Sequence, residues 1–443
     1  MAGSKIALVG CGTVGGATAQ ILERDREFLS KRTGCALELG YIVDKDFAVA
    51  RSLGLNEALF EKDLDTALAD PDVSIVVELV GGTTTAKEIT QRALRAGKHV
   101  VTANKALLAH YGVDLIQHAR SNGVTIAFEA SCGGGIPIIR ALYDGLVANR
   151  VEALYGIVKG TCNYILTEMV NRGESYEDAL ATAQENGLAE ADPTLDVSGL
   201  DSAHKIAIMA ALAFQKRISF DDIPVQGIDT LELTDVMYAN RLGYVVKLLA
   251  IAHHVEGGVS IRVRPSFISR EHPLAWVSGP FNAVSVYGHT TGHTMYYGRG
   301  AGGVPTASAV VSDIAAIAAG IYQGFFESRG VWPDRVEPAH QLSNREITSR
   351  YYVRVMVSDS PGTLAQISSI FGSHRISIAS VLQEELTPAD DTATPQDVPV
   401  VITVHEAREV NMLAAMEEID ALEAVSAESV VINIVDEHPE SLG

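Results

Sequence analysis

The sequence predicts an α/β protein made of three successive regions. The first alternates short β-rich runs, such as "KIALVG" and "VSIVVELV", with longer helical stretches, which is the pattern of a parallel sheet covered by helices. The second mixes long helical patterns with later strand-like runs such as "VSIRVRPSFI", and it is predicted to be an α+β domain. The third follows the order βαββαβ, which is typical of a ferredoxin-like domain.

The domain boundaries follow from these changes of pattern. We expect the first domain at residues 1–130, the second at 131–302 and the third at 351–436. A helix predicted within about 303–325 returns the chain to the first domain. The polar, proline-containing stretch 326–350 is predicted to be a linker.

Three long helices are predicted in the second domain. They cover the runs "SYEDALATAQENGLA", "SAHKIAIMAALAF" and "RLGYVVKLLAIAHHV". His253 and His254 then fall at the end of the third predicted helix, where they would complement the helix dipole.

Composition and charge narrow the class of protein. The 443 residues are 47% hydrophobic and 20% charged, as in globular proteins without extended disorder. A net charge of -21 argues against nucleic acid or an anionic membrane surface as a partner. The sequence shows no export-signal pattern and no apolar run of membrane-spanning length, and its four cysteines are irregularly spaced, so we expect a cytoplasmic protein.

A glycine-rich turn follows the first predicted strand. In "GCGTVGGATAQIL", Gly10, Gly12 and Gly15 form a G-x-G-x-x-G pattern between a strand and a helix. The glycines allow a tight turn and close approach of the backbone to a pyrophosphate, and the helix N-terminus offers it amide donors. The pattern therefore predicts a Rossmann-like domain that binds NAD or NADP. Asp44, at the end of the second predicted strand, favours NAD, but the adjacent Lys45 could hold the extra phosphate of NADP, so both cofactors stay open.

Two further strand ends carry residues of chemical interest. Lys105 in "VVTANKALLA" lies at the carboxyl end of a predicted parallel strand, where open α/β sheets place their ligands. The next strand ends in "FEASCGGGIPII", where Glu129 and the glycine turn can supply oxygen ligands to a hard cation such as sodium, or the glycines can form an interdomain hinge. Cys132 in this turn raises the alternative of a thiolate nucleophile, as in an acyl-transferring aldehyde dehydrogenase, but no activating group lies near it in the sequence.

The stretch "GLAEADPTLDVSGLDSAHKIAIMAALAF" joins an acidic run to an apolar helix. Asp201 and Lys205 are four residues apart and therefore share a helix face with apolar residues. Ser198 is predicted to cap this helix, with Asp201 three residues on as in a capping box. Burial lowers the pKa of a lysine here while Asp201 opposes that drop, so Lys205 can exchange a proton. The alternative is an ordinary helix ion pair.

Two other segments have two interpretations each. In "YGIVKGTCNYIL", Lys159, Thr161 and Asn163 can bind a polar substrate or cap the following helix. The glycine-rich turn before Pro305 can present backbone amides to the first domain or be a structural loop.

Together these segments resemble homoserine dehydrogenases. The motifs, in the order of that family and over about residues 5 to 325, are "GCGTVGG", "GKHVVTANKALLA", "EASCGGGIPII", "KGTCNYIL", "GLAEADPTLDVSGLDSAHKIAIMA" and "GRGAGGVPTASAVVSDI". The resemblance implies that the chain oxidises L-homoserine to aspartate 4-semialdehyde with NAD or NADP, or catalyses the reverse, on the route to threonine and methionine. It also implies a homodimer or homotetramer in which the second domain contributes to dimerisation.

The resemblance assigns roles to individual residues. Lys205 would give and take the proton at the substrate oxygen, assisted by Lys105, which would lie near substrate and cofactor. Glu190 and Asp201 would bind the substrate. Besides the glycine turn and Lys105, the family's cofactor contacts fall on Thr13, Val14, Gly81 and Gly302. Its sodium ligands fall on Glu129 and, through their carbonyls, on Cys132, Gly134 and Ile136.

The third region is similar to ACT domains, which bind amino acids. Its signature is "VSDSPGTLAQISSIF", and in this family such domains accompany feedback inhibition by threonine. Asp359 and Gly362 in the turn are the residues expected at a threonine site. An acidic loop from Leu386 to Asp397 is longer than a hairpin needs. The alternative from another class is a sensor that binds dinucleotide and amino acid without catalysis.

Overall fold

A six-stranded parallel sheet forms the first part of the molecule. The computed structural model describes residues 3–322, 334–383 and 397–439. The strands of this sheet are β1 (Gly3–Val9), β2 (Ala36–Val43), β3 (Phe60–Glu61), β4 (Val73–Glu78), β5 (His99–Thr102) and β6 (Ile126–Ala127). Its helices are α1 (Thr13–Arg24), α2 (Arg26–Thr33), α3 (Ala48–Ser52), α4 (Leu64–Ala69), α5 (Thr84–Arg95) and α6 (Lys105–Ser121). The strand order β3-β2-β1-β4-β5-β6 changes direction between β1 and β4, which is where such sheets bind ligands. The predicted parallel α/β domain is confirmed.

A nine-stranded mixed sheet forms the rest. Its strands are β7 (Val151–Ile157), β8 (Tyr244–Val255), β9 (Gly258–Ser269), β10 (Phe281–Gly288), β11 (Gly292–Arg299), β12 (Thr348–Ser358), β13 (Ile378–Gln383), β14 (Asp397–Arg408) and β15 (Val430–Val435). The accompanying helices are α7 (Ile138–Arg140), α8 (Gly160–Arg172), α9 (Tyr176–Glu185), α10 (Thr194–Val197), α11 (Leu200–Phe214), α12 (Leu233–Arg241), α13 (Gly303–Ala318), α14 (Thr363–Ser373) and α15 (Glu409–Asp420). The order β12-α14-β13-β14-α15-β15 confirms the predicted βαββαβ arrangement.

The two halves of this sheet join through a short parallel seam. Strand β15 pairs with β9 at three positions, from Asn433 opposite Ser266 to Val435 opposite Ile268. The four strands of the third region therefore continue the sheet of the second, in the order β11-β10-β7-β8-β9-β15-β12-β14-β13.

The prediction of a third long helix in the second domain is wrong. The run 241–255 forms the end of α12 and then the strand β8. Gly243 adopts φ +86, which ends the helix, and β8 pairs with β7 on one side and β9 on the other. A central strand covered on both faces is apolar along its length, so periodicity alone does not distinguish it from a buried helix. His253 and His254 consequently lie near the end of a strand, and a helix dipole does not act on them.

Helix α13 returns the chain to the first sheet. It packs against α1, and a Cβ on Gly303 would lie 3.0 Å from the carbonyl oxygen of Thr13. Its buried residues Val310, Ile314 and Ile317 join the same apolar cluster as β1. Among the described residues, no helix has the length and apolarity to cross a membrane.

The described part of the predicted linker is held by backbone hydrogen bonds. Arg217 donates to Glu337 O at 2.8 Å, and Val259 donates to His340 O at 2.9 Å. Residues 337–342 therefore run along the second region rather than free of it. The earlier part of the predicted linker and most of the acidic loop at 386–397 lie outside the described residues.

Two buried ion pairs link the second and third regions, and we call them the domain junction. Arg354 of β12 meets Asp235 of α12 through two bonds of 2.7 and 2.9 Å, and Asp235 is fully buried. Arg264 of β9 meets Glu409 of α15, with nitrogen–oxygen distances of 3.0 to 3.2 Å. Because both arginines bind their carboxylates in a bidentate manner, the junction constrains orientation as well as contact.

Candidate active site

Helix α11 carries the central pair of the candidate site. The helix begins at Leu200, after Gly199, which adopts φ +85 and provides no side-chain cap. The predicted capping box at Ser198 is therefore wrong, because Ser198 ends the short helix α10 instead. A Cβ on Gly199 would lie 2.9 Å from a methyl carbon of Val225, so packing as well as backbone conformation favours glycine there.

Lys205 is buried in the second turn of α11. Its side chain is 9% exposed, and its Nζ lies 2.7 Å from Asp201 Oδ2, across one helical turn as predicted. It also donates to Val158 O at 2.6 Å. Burial lowers the pKa of Lys205, and the charge of Asp201 opposes that shift. An ammonium has three donors, and contacts within the described part of the chain use two of them, so one remains to bind a ligand.

Lys105 reaches the same carboxylate from the first region. It is the first residue of α6, which is capped by the side chain of Asn104, and its Nζ lies 2.8 Å from Asp201 Oδ1. Asp201 thus bridges two lysines that are far apart in the sequence. Burial alone would raise the pKa of Asp201, but the charges of Lys205, Lys105 and Lys159 outweigh it and hold that pKa well below its usual range.

Lys159 adds a third cation to this site. Its Nζ lies 2.6 Å from Asp196 Oδ1, and the other oxygen of Asp196 accepts from the backbone N–H of Glu190 at 2.8 Å. Burial acts to lower the pKa of Lys159, but the negative charges of Asp201 and Asp196 outweigh burial and raise that pKa above its usual value. We call Lys105, Lys159, Lys205, Asp196 and Asp201 the cleft cluster. The sequence motifs indicated roles for the lysines and Asp201, whereas Asp196 lies in the acidic run and had no predicted role.

The two other polar residues of the Lys159 segment bind protein groups. The hydroxyl of Thr161 donates to Leu188 O at 2.6 Å. The amide of Asn163 donates to three carbonyls, those of Val277, Gly279 and Phe281, at 2.9 to 3.2 Å. The buried Lys247, which the sequence did not single out, donates to Asn163 Oδ1 at 3.0 Å, and burial lowers its pKa to about 8. This network holds the loop 277–281 against the first turn of α8.

The glycine turn fits a dinucleotide. Gly10 adopts φ +93, and a Cβ there would lie 2.8 Å from the backbone of Leu79. A Cβ on Gly15 would lie 1.9 Å from Gly10 O, so α1 can approach the strand only with glycine. A Cβ on Gly12 meets no atom within 4 Å, which leaves its face open to a pyrophosphate. The N-terminal amides of α1 begin at Thr13 and Val14, as the cofactor prediction requires.

The other predicted cofactor residues lie on loops next to this turn. Gly81 follows β4 with φ +80, and β4 is the neighbour of β1 at the switch of strand order. Gly302 is the N-cap of α13, and Gly303, the first residue of that helix, packs on Thr13. Sequence analysis missed the buried Glu78, which accepts from the Thr102 hydroxyl at 2.7 Å and from Val80 N at 2.8 Å and so holds the loop after β4.

One of the predicted sodium ligands is a buried carboxylate, that of Glu129. Glu129 accepts from the backbone N–H groups of Ile139 and Arg140, each at 2.9 Å. Burial, together with the charge of Asp313, raises the pKa of Glu129 to about 7. The carbonyls of Cys132, Gly134 and Ile136 belong to the turn that follows. Within the described ranges, no group of three or more His, Cys, Asp and Glu side chains could hold a metal ion, so this site would depend on backbone oxygens.

Cys132 has the properties of a structural thiol. It is fully buried, and burial raises its pKa to about 12. Its sulfur contacts Lys205 O at 3.7 Å and Ser131 Oγ at 3.6 Å. A nucleophilic cysteine requires the thiolate, so this environment does not support the aldehyde dehydrogenase alternative.

The dinucleotide turn lies on the parallel sheet, and Lys105, from the same sheet, contacts the buried Lys205–Asp201 pair of α11. This combination is typical of NAD(P)-dependent oxidoreductases. Three family models match the chain: "Homoserine dehydrogenase, NAD binding domain" at residues 10–129, "Homoserine dehydrogenase" at 137–315 and "ACT domain" at 351–424. The chain belongs to the homoserine dehydrogenase family and carries an ACT domain.

Relatives match nearly the whole chain. A homoserine dehydrogenase of Pseudomonas aeruginosa is 40% identical over 97% of this chain and 98% of its own length. One of Neisseria gonorrhoeae is 41% identical over 98% of this chain and 99% of its own. The crystal structure of a homoserine dehydrogenase from Thiobacillus denitrificans superposes with a TM-score of 0.90 at 38% identity, covering 98% of both chains. A hyperthermophilic archaeal homoserine dehydrogenase mutant in complex with NADPH covers 71% of this chain and 97% of its own, with a TM-score of 0.60 at 26% identity.

Proposed function

We propose that this homoserine dehydrogenase uses Lys205 to move the proton in the interconversion of L-homoserine and aspartate 4-semialdehyde. The observation that carries the proposal is the environment of Lys205, which is buried, paired with Asp201 and lowered in pKa. A lysine with a lowered pKa is a better proton acceptor near neutral pH than an exposed one. Bound NAD or NADP would accept a hydride from the carbon that bears the alcohol.

In this scheme the cleft cluster divides the remaining tasks. Lys205 removes the hydroxyl proton during oxidation and returns it during reduction. Asp201 orients Lys205 and Lys105, both of which lie within 2.8 Å of its oxygens. Lys105 is 35% exposed, so it can also meet the substrate or the nicotinamide side of the cofactor. The exposed carboxylate of Glu190 suits the ammonium group of the amino acid, and Asp196 holds the backbone of Glu190 in place.

One assay tests this assignment. We would measure homoserine-dependent reduction of NAD and NADP by wild type and by Lys205→Ala. We expect turnover in the wild type and a loss of about 10²- to 10⁴-fold in the variant, the usual contribution of a positioned acid or base. Absence of turnover in the wild type would end the catalytic proposal and leave the sensor alternative. Undiminished turnover in Lys205→Ala would end the role of Lys205.

We also propose a sodium ion at Glu129. The carboxylate of Glu129 and the carbonyls of the turn that follows it are hard oxygen donors. A cation bound to them would add to Arg140 in offsetting the cost of burying Glu129 beside Asp313. The expected result is a rise in melting temperature with sodium over choline chloride at equal ionic strength. This rise should be absent in Glu129→Gln, and equal melting temperatures in the wild type would exclude the site.

Finally, we propose that the ACT domain lets threonine inhibit the enzyme, on a cytoplasmic route to threonine and methionine. Gly362 caps α14 with φ +98, and Asp359 Oδ1 accepts from Gln383 at 3.5 Å, so this turn keeps amides and a carboxylate at the surface. Threonine should lower turnover in the wild type and not in Asp359→Ala. Light scattering on the purified protein should give a homodimer or homotetramer, whereas a monomer would contradict the assembly implied by the family.

A further inference from the structure

Asp44 lies beside the glycine turn, and its carboxylate is fixed. It follows β2, the neighbour of β1, and its Oδ2 accepts from the backbone N–H of Cys11 at 2.6 Å. Its Oδ1 accepts from the N–H groups of Lys45 at 2.6 Å and Asp46 at 3.2 Å. Three amides from two loops therefore hold an acceptor that is only partly buried. Each carboxylate oxygen can accept two hydrogen bonds, so the exposed side of Asp44 can still bind a hydroxyl.

Among the residues that the structure describes, no cationic side chain forms an ion pair with Asp44. Asp46 is another acid two residues on, and its carboxylate accepts from Ala48 N at 2.9 Å. Arg51 of α3 contacts Glu57 and the ring of Phe60 rather than Asp44. Lys45 is exposed, and ordering its long side chain over a phosphate would cost rotamer entropy.

We propose that Asp44 makes this enzyme prefer NAD over NADP. In a Rossmann-like sheet the adenosine ribose lies at the end of the second strand, where an acid binds the 2′-hydroxyl. The 2′-phosphate of NADP would lie next to the carboxylate of Asp44. The three backbone N–H groups that donate to this carboxylate prevent it from turning away. Lys45 reduces this repulsion. Because its side chain is exposed, however, Lys45 attracts the phosphate less strongly than the fixed carboxylate of Asp44 repels it. The inference rests on the use of NAD or NADP in the proposed function and concerns only the choice between them.

The test compares binding with turnover. Dissociation constants for NADH and NADPH would be measured by isothermal titration for wild type, Asp44→Asn and Lys45→Ala, with homoserine-dependent turnover measured alongside. We expect the wild type to bind NADH at least about tenfold more tightly than NADPH, as repulsion between nearby charges requires. Asp44→Asn keeps the size and one acceptor but removes the charge, so NADPH should bind about tenfold more tightly to it. Lys45→Ala should weaken NADPH alone.

The outcomes separate this inference from the proposed function. The wild-type preference should shrink as salt is raised, because exposed charges are screened. Equal or tighter binding of NADPH by the wild type overturns the inference while homoserine turnover keeps the enzyme assignment. An unchanged ratio in a folded Asp44→Asn variant also overturns it. If Asp44→Asn does not fold, the wild-type ratio and its salt dependence decide. Failure to bind either dinucleotide would instead refute the proposed function.

Discussion

The cleft cluster and the domain junction both bury opposite charges, yet they do so with different cations. The cleft cluster sets three lysines against two aspartates, and burial lowers the pKa of Lys205 within it. The junction sets two arginines against Asp235 and Glu409, and the hydrogen bonds that Arg354 donates to Asp235 raise the pKa of Arg354. An arginine keeps its proton and holds a carboxylate through a rigid fork, whereas a buried lysine can lose its proton. The comparison indicates that the cleft cluster is suited to chemistry and the junction to holding two regions together.

The largest expected effect comes from replacing Lys205 of the cleft cluster with arginine, the cation found in the domain junction. Lys205→Arg keeps the positive charge but cannot lose a proton near neutral pH, so kcat should fall by about 10²- to 10⁴-fold. Turnover of homoserine at saturating cofactor is the measurement. Lys216→Arg is the matched control, since Lys216 lies just beyond the same helix at 38% exposure and should leave kcat unchanged. A Lys205→Arg variant with near-normal turnover would contradict the division of roles.

The next effect concerns stability at the junction. Asp235→Asn leaves the buried Arg354 with Glu232 as its carboxylate partner, and Glu232 is 59% exposed. We expect the free energy of unfolding to fall by about 3 kcal/mol, because an exposed carboxylate alone compensates a buried charge poorly. Urea denaturation gives the number, with Glu337→Gln at an exposed pair as the control. A loss below about 1 kcal/mol, the value of a surface pair, would remove the distinction between the junction and ordinary ion pairs.

A third prediction uses pH. Because the pKa of Lys205 is lowered in the folded protein, Lys205 loses its proton at a lower pH than an ordinary lysine does. Oxidation of homoserine needs the neutral amine, so kcat/KM should rise about tenfold per pH unit below that pKa and level off above it. Reduction of the aldehyde needs the ammonium and should show the opposite limb. For stability, the unfolded chain binds more protons between the folded pKa and 10.5, so this group favours folding increasingly as pH rises through that window.

The pH limbs have their own control. In Lys205→Arg the residual oxidation should lose the limb, since arginine does not titrate in this range. Persistence of the same limb in that variant would assign it to another group.

The smallest effect is expected at the edge of the cleft cluster. Lys159→Met removes the cation that holds Asp196, and with it the restraint on the backbone of Glu190. We expect KM for homoserine to rise by roughly tenfold, with a smaller change in kcat, because binding geometry is lost more than chemistry. Lys159→Arg should restore part of the affinity. Arg172→Met is the control on the far end of the same helix, where Arg172 pairs with Glu168. An unchanged KM in Lys159→Met would show that Asp196 needs no partner.

Short local patterns predicted much of the fold and of the site. The glycine turn, the pair on α11 and the βαββαβ region each depend on residues close in sequence, so their chemistry is visible there. Strand β8 was predicted as a helix because its apolar residues reflect two buried faces that only the neighbouring strands reveal. The contact between Lys105 and Asp201, and the bond between Arg354 and Asp235, join residues far apart in sequence. No rule of sequence spacing connects such residues, so these contacts could be identified only from the structure.

Helix α13 has a consequence for the way this molecule can be assembled. The first sheet is covered on one side by a helix that follows the whole of the second region in sequence, since α13 begins at Gly303 and packs on α1. The entropic cost of closing so long a loop grows only slowly with its length, but contacts between distant segments slow folding. During synthesis the part of the first sheet's apolar cluster that α13 covers therefore stays exposed until the ribosome has produced more than two thirds of the chain. A fragment cut at residue 130 would lack that cover and should aggregate.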